Sequence, residues 1–216
     1  MNYYIGISGL AGDGKDSLCN ILRDWFESRG FAFERMALAD ELKEECRKAL
    51  LSMYNINPLL CSRQEKAIIR DFLVFYAKVK REETEGTHWV QKLQKRVSNL
   101  APTDKDRIIC IPDVRHAEYE NDEVPWIKKN NGILVHVKKY RLEEFSAFNK
   151  FYSNPINKEE AYHTPKVEEL ADFIVEWQDK SPKTPENDED CVSVGHYVAQ
   201  RIFGTFKAPI CRKKSL

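Results

Sequence analysis

One stretch constrains this chain more than any other: Gly9-Leu-Ala-Gly-Asp-Gly14-Lys15-Asp16-Ser17. It follows the short β-rich run Tyr3 to Ser8 and precedes Leu18, Cys19, Ile21, Leu22, Trp25 and Phe26, which mark one stripe of a helix from Asp16 to Arg29. Gly30 is its expected left-handed stop. Strand, glycine loop and helix in that order fit G-x-x-x-x-G-K. Glycines let successive backbone N–H groups turn inward without side-chain bulk, the helix N-terminus adds positive potential, and Lys15 can reach the outer phosphates. Gly9, Leu10, Ala11, Gly12, Asp13, Gly14, Lys15, Asp16 and Ser17 are therefore the expected nucleotide-phosphate residues. The alternative is a glycine-rich turn with no ligand.

The position after the lysine usually carries Ser or Thr as a Mg²⁺ ligand, and here it is Asp16, with Ser17 next. A carboxylate beside a triphosphate needs a cation between them. Asp16, assisted by Ser17, either holds Mg²⁺ directly or through water, or it merely favours the first helical turn.

The rest of the chain alternates strand and helix. Phe31 to Met36 reads as a strand, and Leu42, Cys46, Ala49, Leu50 and Met53 as a helix ended by Asn55, Asn57 and Pro58. Two helical stripes follow, Ile68 to Val79 and Trp89 to Leu100, separated by the charged stretch Lys78 to Glu85 and a turn at Gly86. Arg107 to Asp113 and Ile133 to Val137 are continuous apolar strands of the kind a parallel sheet buries on both faces. Between them lies a weaker helix, expected to break near Pro125. Lys138 to Pro165 is aromatic, basic and Asn-rich, and reads as a mobile covering segment. Phe173 to Val175 gives a last strand, Lys180 to Asp190 a polar loop with a solvated acidic run at 186–190, and Val194, Tyr197, Val198 and Ile202 a last helix. The expected fold is a single α/β P-loop domain over 1–216, its mostly parallel sheet flanked by helices. A helical acceptor-binding insertion is expected at about 53–104 and a lid-like segment at about 138–166.

Composition narrows the partners. Among 216 residues, 34 Lys+Arg balance 34 Asp+Glu, so no broad basic surface for nucleic acid is expected. No run approaches the ~18 apolar residues of a membrane span. The six cysteines, Cys211 among them, form no C-x-x-C, and the first residues lack a basic, apolar leader; a reduced, cytoplasmic protein is expected. Asn157-Lys-Glu-Glu160 only approaches the guanine-reading N-K-x-D, and no D-x-x-G occurs, which argues against a GTPase switch.

Further segments fall in a telling order: Ala39-Asp40-Glu-Leu-Lys43, Arg70-x-x-Leu-x-x-Tyr76-x-x-x-x-Arg81, Trp89-Val-x-x-Leu93 and Asp113-Val-Arg115. With the G-K-D-S loop, this order resembles the bacteriophage and viral deoxynucleoside monophosphate kinases over roughly Ile5 to Val175. Where that family tends to have a histidine followed by Ser-Glu, this chain has His163-Thr-Pro165. The resemblance implies phosphoryl transfer from ATP, with Mg²⁺, to a deoxynucleoside monophosphate (host cytoplasm if the source is viral).

On that reading Lys15 holds the transferred group. Asp113 orients Mg²⁺ or its water, or else caps a helix. Arg115 grips the acceptor phosphate, or forms a surface ion pair. Asp40 takes the acceptor's sugar hydroxyl, helps position the metal, or caps a helix, and Lys43 faces either the site or solvent. Arg70 and Arg81 share a helix face, with Arg81 the preferred acceptor-phosphate ligand. Trp89 stacks on the acceptor base or lies in the core, and Arg141 closes over ATP or is a solvated loop charge. The alternatives are a small-molecule phosphate kinase resembling phosphomevalonate or dephospho-coenzyme A kinase, and a non-catalytic nucleotide-binding protein. A homodimer is compatible with all of them.

Overall fold

The computed structural model describes residues 1–143, 146–180 and 185–207; Cys211 and part of the 180–190 loop lie outside them. Its strands are β1 (Asn2–Gly9), β2 (Ala32–Arg35), β3 (Arg107–Ile111), β4 (Ile133–Glu143), β5 (Ser146–Tyr152) and β6 (Phe173–Gln178). The helices are α1 (Lys15–Glu27), α2 (Leu38–Tyr54), α3 (Arg63–Glu83), α4 (Thr87–Ser98), α5 (Glu123–Lys129), α6 (Lys158–Glu169) and α7 (Glu189–Lys207). The sheet runs β2-β3-β1-β4, with β6 added beyond β4, and all these pairings are parallel. It is an α/β fold, a mostly parallel sheet flanked by helices.

The continuous apolar strands are explained by burial on both faces. Ile5, Ile7, Cys110, Val135 and Val137 face α1 and α7, meeting Leu18, Leu22, Phe26 and Ile202. The alternate positions, Ile109, Ile111 and Leu134, face the other way, onto Trp89, Leu93, Ile127 and Val167. A smaller cluster of Cys46, Leu50, Ile69 and Leu73 joins α2 to α3. Among the described residues, no helix is long and apolar enough to cross a membrane.

Several expectations need correction. Lys138 to Pro165, expected as a covering segment with no elements assigned, carries regular structure: β4 continues to Glu143, β5 returns antiparallel to it, and α6 follows. Lys150 Nζ lies 4.4 Å from the Tyr140 ring centroid and Lys138 Nζ 4.7 Å from that of Tyr152, so the aromatic and basic residues bind across the hairpin. Pro165 sits inside α6. Pro125 falls in the first turn of α5, where a missing N–H costs least. The charged stretch from Lys78 stays helical to Glu83, because α3 carries its apolar stripe on one side only.

Candidate active site

The glycine loop lies where β1 ends and α1 begins. Gly14 has φ of 92°, and a Cβ there would stand 2.7 Å from Trp177 Cζ2. At Gly9, with φ of 140°, a Cβ would strike the Val137 carbonyl. Both positions need glycine for the turn and for the close approach of the neighbouring strand or ring. Trp177 Nε1 donates to Asp13 O at 2.8 Å, which ties the loop to β6.

Lys15 Nζ donates to Gly9 O at 2.9 Å and to Leu10 O at 2.7 Å, which folds the ammonium over the loop. Burial lowers its pKa to about 8, with the nearby Arg115 guanidinium also lowering it and Asp13, Glu160 and Asp113 acting against the shift. Two cationic groups thus converge on the loop without a carboxylate bonded to the lysine. The loop thus has the turns and the positive charge that an anion site needs.

No protein-family model matches the chain, and no curated protein does. Among solved structures, the chain is similar to shikimate kinase from Acinetobacter baumannii in complex with shikimate, at 13% identity over 97% of each chain, with a TM-score of 0.41. It is also similar to a gluconokinase from Sinorhizobium meliloti, at 11% identity over 96% of this chain and 98% of that one, with a TM-score of 0.35. Likenesses this distant say nothing of substrate.

A small cavity of about 200 Å³ lies against Leu10, Asp13 and His136, and two larger ones border the loop. One, of about 480 Å³, is lined by Gly12, Gly14, Lys15, Asp16 and Ser17, with Arg63, Lys139, Asp179, Lys180 and Asp188 around it. The other, of about 250 Å³, is lined by Ser8, Gly9 and Ala11 from the loop side and otherwise by α2, α3, α6 and the segment after β3. Its charged lining comprises Lys43, Lys66, Arg70, Lys78, Arg81, Arg115, Glu159 and Glu160. Lys78 pairs with Glu159 at 2.9 Å and Arg115 with Glu160 at 3.2 Å. Lys43, Lys66 and Arg70 have no ion-pair partner among the described residues, so the cavity holds a local excess of positive charge in a chain of zero net charge.

Several expected site residues have other occupations. Arg81 is buried; its Nε and Nη2 donate to Asp122 at 2.9 and 2.7 Å, and Nη2 also to Glu118 at 3.0 Å. Asp122 is 1% exposed, so the pair anchors the end of α3 to the segment before α5 rather than offering a free guanidinium. Trp89 is 5% exposed, donates to Ala77 O at 3.3 Å and lies outside the cavity lining; it is core.

Asp113 accepts from Leu38 N at 2.9 Å and from Ala39 N at 2.7 Å, capping α2 from the end of β3. With Ala37 at the N-cap position, α2 has no cap of its own, and the remote carboxylate supplies it. Asp40 pairs with Arg35 at 3.3 Å, and Arg35 also holds Asp16 at 2.9 Å. Arg141, on β4, pairs with Asp179 at 3.0 Å and does not line the loop's cavities.

The sequence reading missed Arg63, Lys66, Glu123 and the His116–His163 contact. Arg63, Lys66 and Arg70 repeat at spacings of three and four, a helical face that was visible in principle. Glu123 is buried and accepts from the backbone N–H groups of Arg115 and His116, which fixes the segment carrying Arg115. Burial pushes its carboxyl up to about 8, with Asp113 and Asp122 adding to the rise. His163 stacks edge-on against His116 at 4.5 Å, and burial holds both rings below the ordinary histidine pKa. Neither signal lies in a local motif.

Proposed function

We propose that this protein is an ATP- and Mg²⁺-dependent kinase that transfers a phosphoryl group to an anionic small molecule, with a deoxynucleoside monophosphate as acceptor. The observation that carries the reading is the pair of cavities meeting at the Gly9–Lys15 loop, with Lys43, Lys66 and Arg70 uncommitted on one side. Three unpaired cations in a small cavity suit a dianionic phosphate. The nucleotide's triphosphate occupies the loop side.

Lys15 leaves its carbonyl partners for the outer phosphates, and Arg115 faces it from the acceptor side. In-line transfer needs the two anions held close and their developing charge neutralised, which these cations provide. The residues present fit Mg²⁺ in the usual way: Asp16 and Ser17 line the triphosphate cavity, while no cluster of His, Cys, Asp or Glu among the described residues forms a closed cage. Asp16 and Ser17 would hold Mg²⁺ there, and the ion would supply positive charge against the phosphates. Asp113, with each oxygen on a backbone N–H, fits that role less well than Asp16.

A second reading is favoured by one observation: the acceptor cavity has no Phe, Tyr or Trp in its lining. A nucleobase would rest on aliphatic side chains and on His116 or His163. That suits a compact acceptor without a base, in the manner of phosphomevalonate. A coupled ATP-consumption assay over the dNMPs, the NMPs, phosphomevalonate and shikimate separates the two. The first reading expects stimulation by monophosphates carrying a base; if none of these acceptors stimulates ATP consumption, the kinase reading falls.

A further inference from the structure

The cations lining the triphosphate cavity are not equivalent. Lys15 is held by two loop carbonyls, Lys139 lies 3.7 Å from Asp179, and Lys180 pairs with Asp188 at 3.1 Å and Asp190 at 2.6 Å. The cavity's acids are likewise engaged: Asp16 by Arg35, Asp179 by Arg141, and Asp188 by Lys180. Arg63 is the exception. It lines this cavity, is exposed, and has no hydrogen bond or ion pair from its guanidinium among the described residues.

Arg63 is not a loose loop charge. It opens α3 directly after Ser62, whose Oγ accepts from Glu65 N at 3.2 Å, while Glu65 accepts from Ser62 N at 2.7 Å. That reciprocal cap fixes the first helical turn and with it the Cα of Arg63. Seven residues further, two turns and about 10 Å along the axis, Arg70 lines the acceptor cavity. One rigid helix therefore presents one uncommitted guanidinium to each cavity, on the same face.

We propose that Arg63 is a catalytic residue whose guanidinium contacts the γ-phosphoryl group of the bound nucleotide. This rests on the kinase reading. In the transfer, the bond from the γ-phosphorus to the bridging oxygen breaks with its electron pair going to the departing diphosphate. A new bond forms to an acceptor oxygen, and Arg63 gains and loses no proton; it offers N–H donors to charge shifting across the equatorial oxygens.

The test compares wild type, Arg63→Ala, Arg63→Lys and Lys15→Ala in the coupled assay with the best acceptor, with thermal melting alongside. Arg63→Ala is expected to lower kcat about 10³-fold, within the range known for arginines acting on transferred phosphoryl groups. The acceptor KM should change less than threefold and the melting temperature should stay put, since the side chain has no partner to lose. Arg63→Lys should recover only a small part of the rate, and millimolar guanidinium should partly restore Arg63→Ala but not Lys15→Ala. An active wild type with Arg63→Ala within twofold of its kcat overturns the role of Arg63 and leaves the kinase reading standing. A wild type that neither binds a fluorescent ATP analogue nor uses any acceptor overturns both.

Discussion

The charge on Lys15 should make nucleotide affinity fall with alkaline pH in a calculable way. Burial first, and then the Arg115 guanidinium, lower its pKa to about 8. A bound polyphosphate favours the charged form, so the complex keeps Lys15 protonated across the range in which the free protein loses the proton. The sign follows: affinity is nearly full below about pH 7 and declines as pH rises through 8. At pH 9 roughly one molecule in eleven retains the charge, so the apparent dissociation constant for ATP should rise about tenfold between pH 7 and 9, or about 1.4 kcal/mol. Titration calorimetry at constant free Mg²⁺ measures it. Lys15→Arg, whose guanidinium does not titrate here, should bind with a nearly flat pH profile, whatever its absolute affinity. Arg115→Met should move the wild-type midpoint upward. A wild-type profile that is flat from pH 7 to 9.5, or an equal slope in Lys15→Arg, would show that Lys15 does not carry the phosphate interaction.

Four other outcomes follow from the structure. Arg81→Met leaves Asp122 buried without its partner and should cost about 3–5 kcal/mol in urea unfolding, whereas a loss confined to acceptor KM would restore Arg81 as a ligand. Trp89→Phe should leave acceptor KM within twofold while Trp89→Ala costs about 3–5 kcal/mol of stability; a large KM effect in the Phe variant would mean the ring meets substrate. Asp113→Asn should cost about 0.5–2 kcal/mol through the α2 cap with the Mg²⁺ requirement unchanged, while Asp16→Ala should raise that requirement; the reverse pattern would transfer the metal role to Asp113. Glu123, raised to about 8, stays neutral in the fold while the unfolded chain ionises, so wild type loses stability from about pH 4.5 to 8. The melting temperature of Glu123→Gln relative to wild type should therefore climb over that window, and a constant difference would contradict the buried, neutral carboxyl.

The parts of the fold that rest on local pattern were legible. The run Ile133 to Val137 reads as a strand buried on both faces, and the stripe from Leu18 to Phe26 as a helix that packs against it. The glycine loop was legible because its chemistry is contiguous. What escaped depends on partners distant in sequence. Asp113 caps a helix that begins 75 residues earlier, and Arg81 finds Asp122 41 residues later. Tyr140, Lys150 and Tyr152 resemble loop residues until β4 and β5 pair and their rings and ammonium groups meet across the hairpin. A charge at the right position on a helix does not reveal whether an acid waits behind it; that separated the engaged Arg81 from the uncommitted Lys66 and Arg70 on the same α3.

The central claim is that phosphoryl transfer runs between two adjoining cavities across the Gly9–Lys15 loop. The most direct measurement is the affinity of a bisubstrate analogue, two nucleosides joined by five phosphates, compared with ATP and with the acceptor monophosphate alone. Linked ligands that reach both sites gain from the effective concentration of the second. The account predicts binding at least 100-fold tighter than ATP, reduced to about the ATP level in a Lys43→Ala, Arg70→Ala double variant. An analogue that binds no tighter than ATP to the wild-type protein would contradict it.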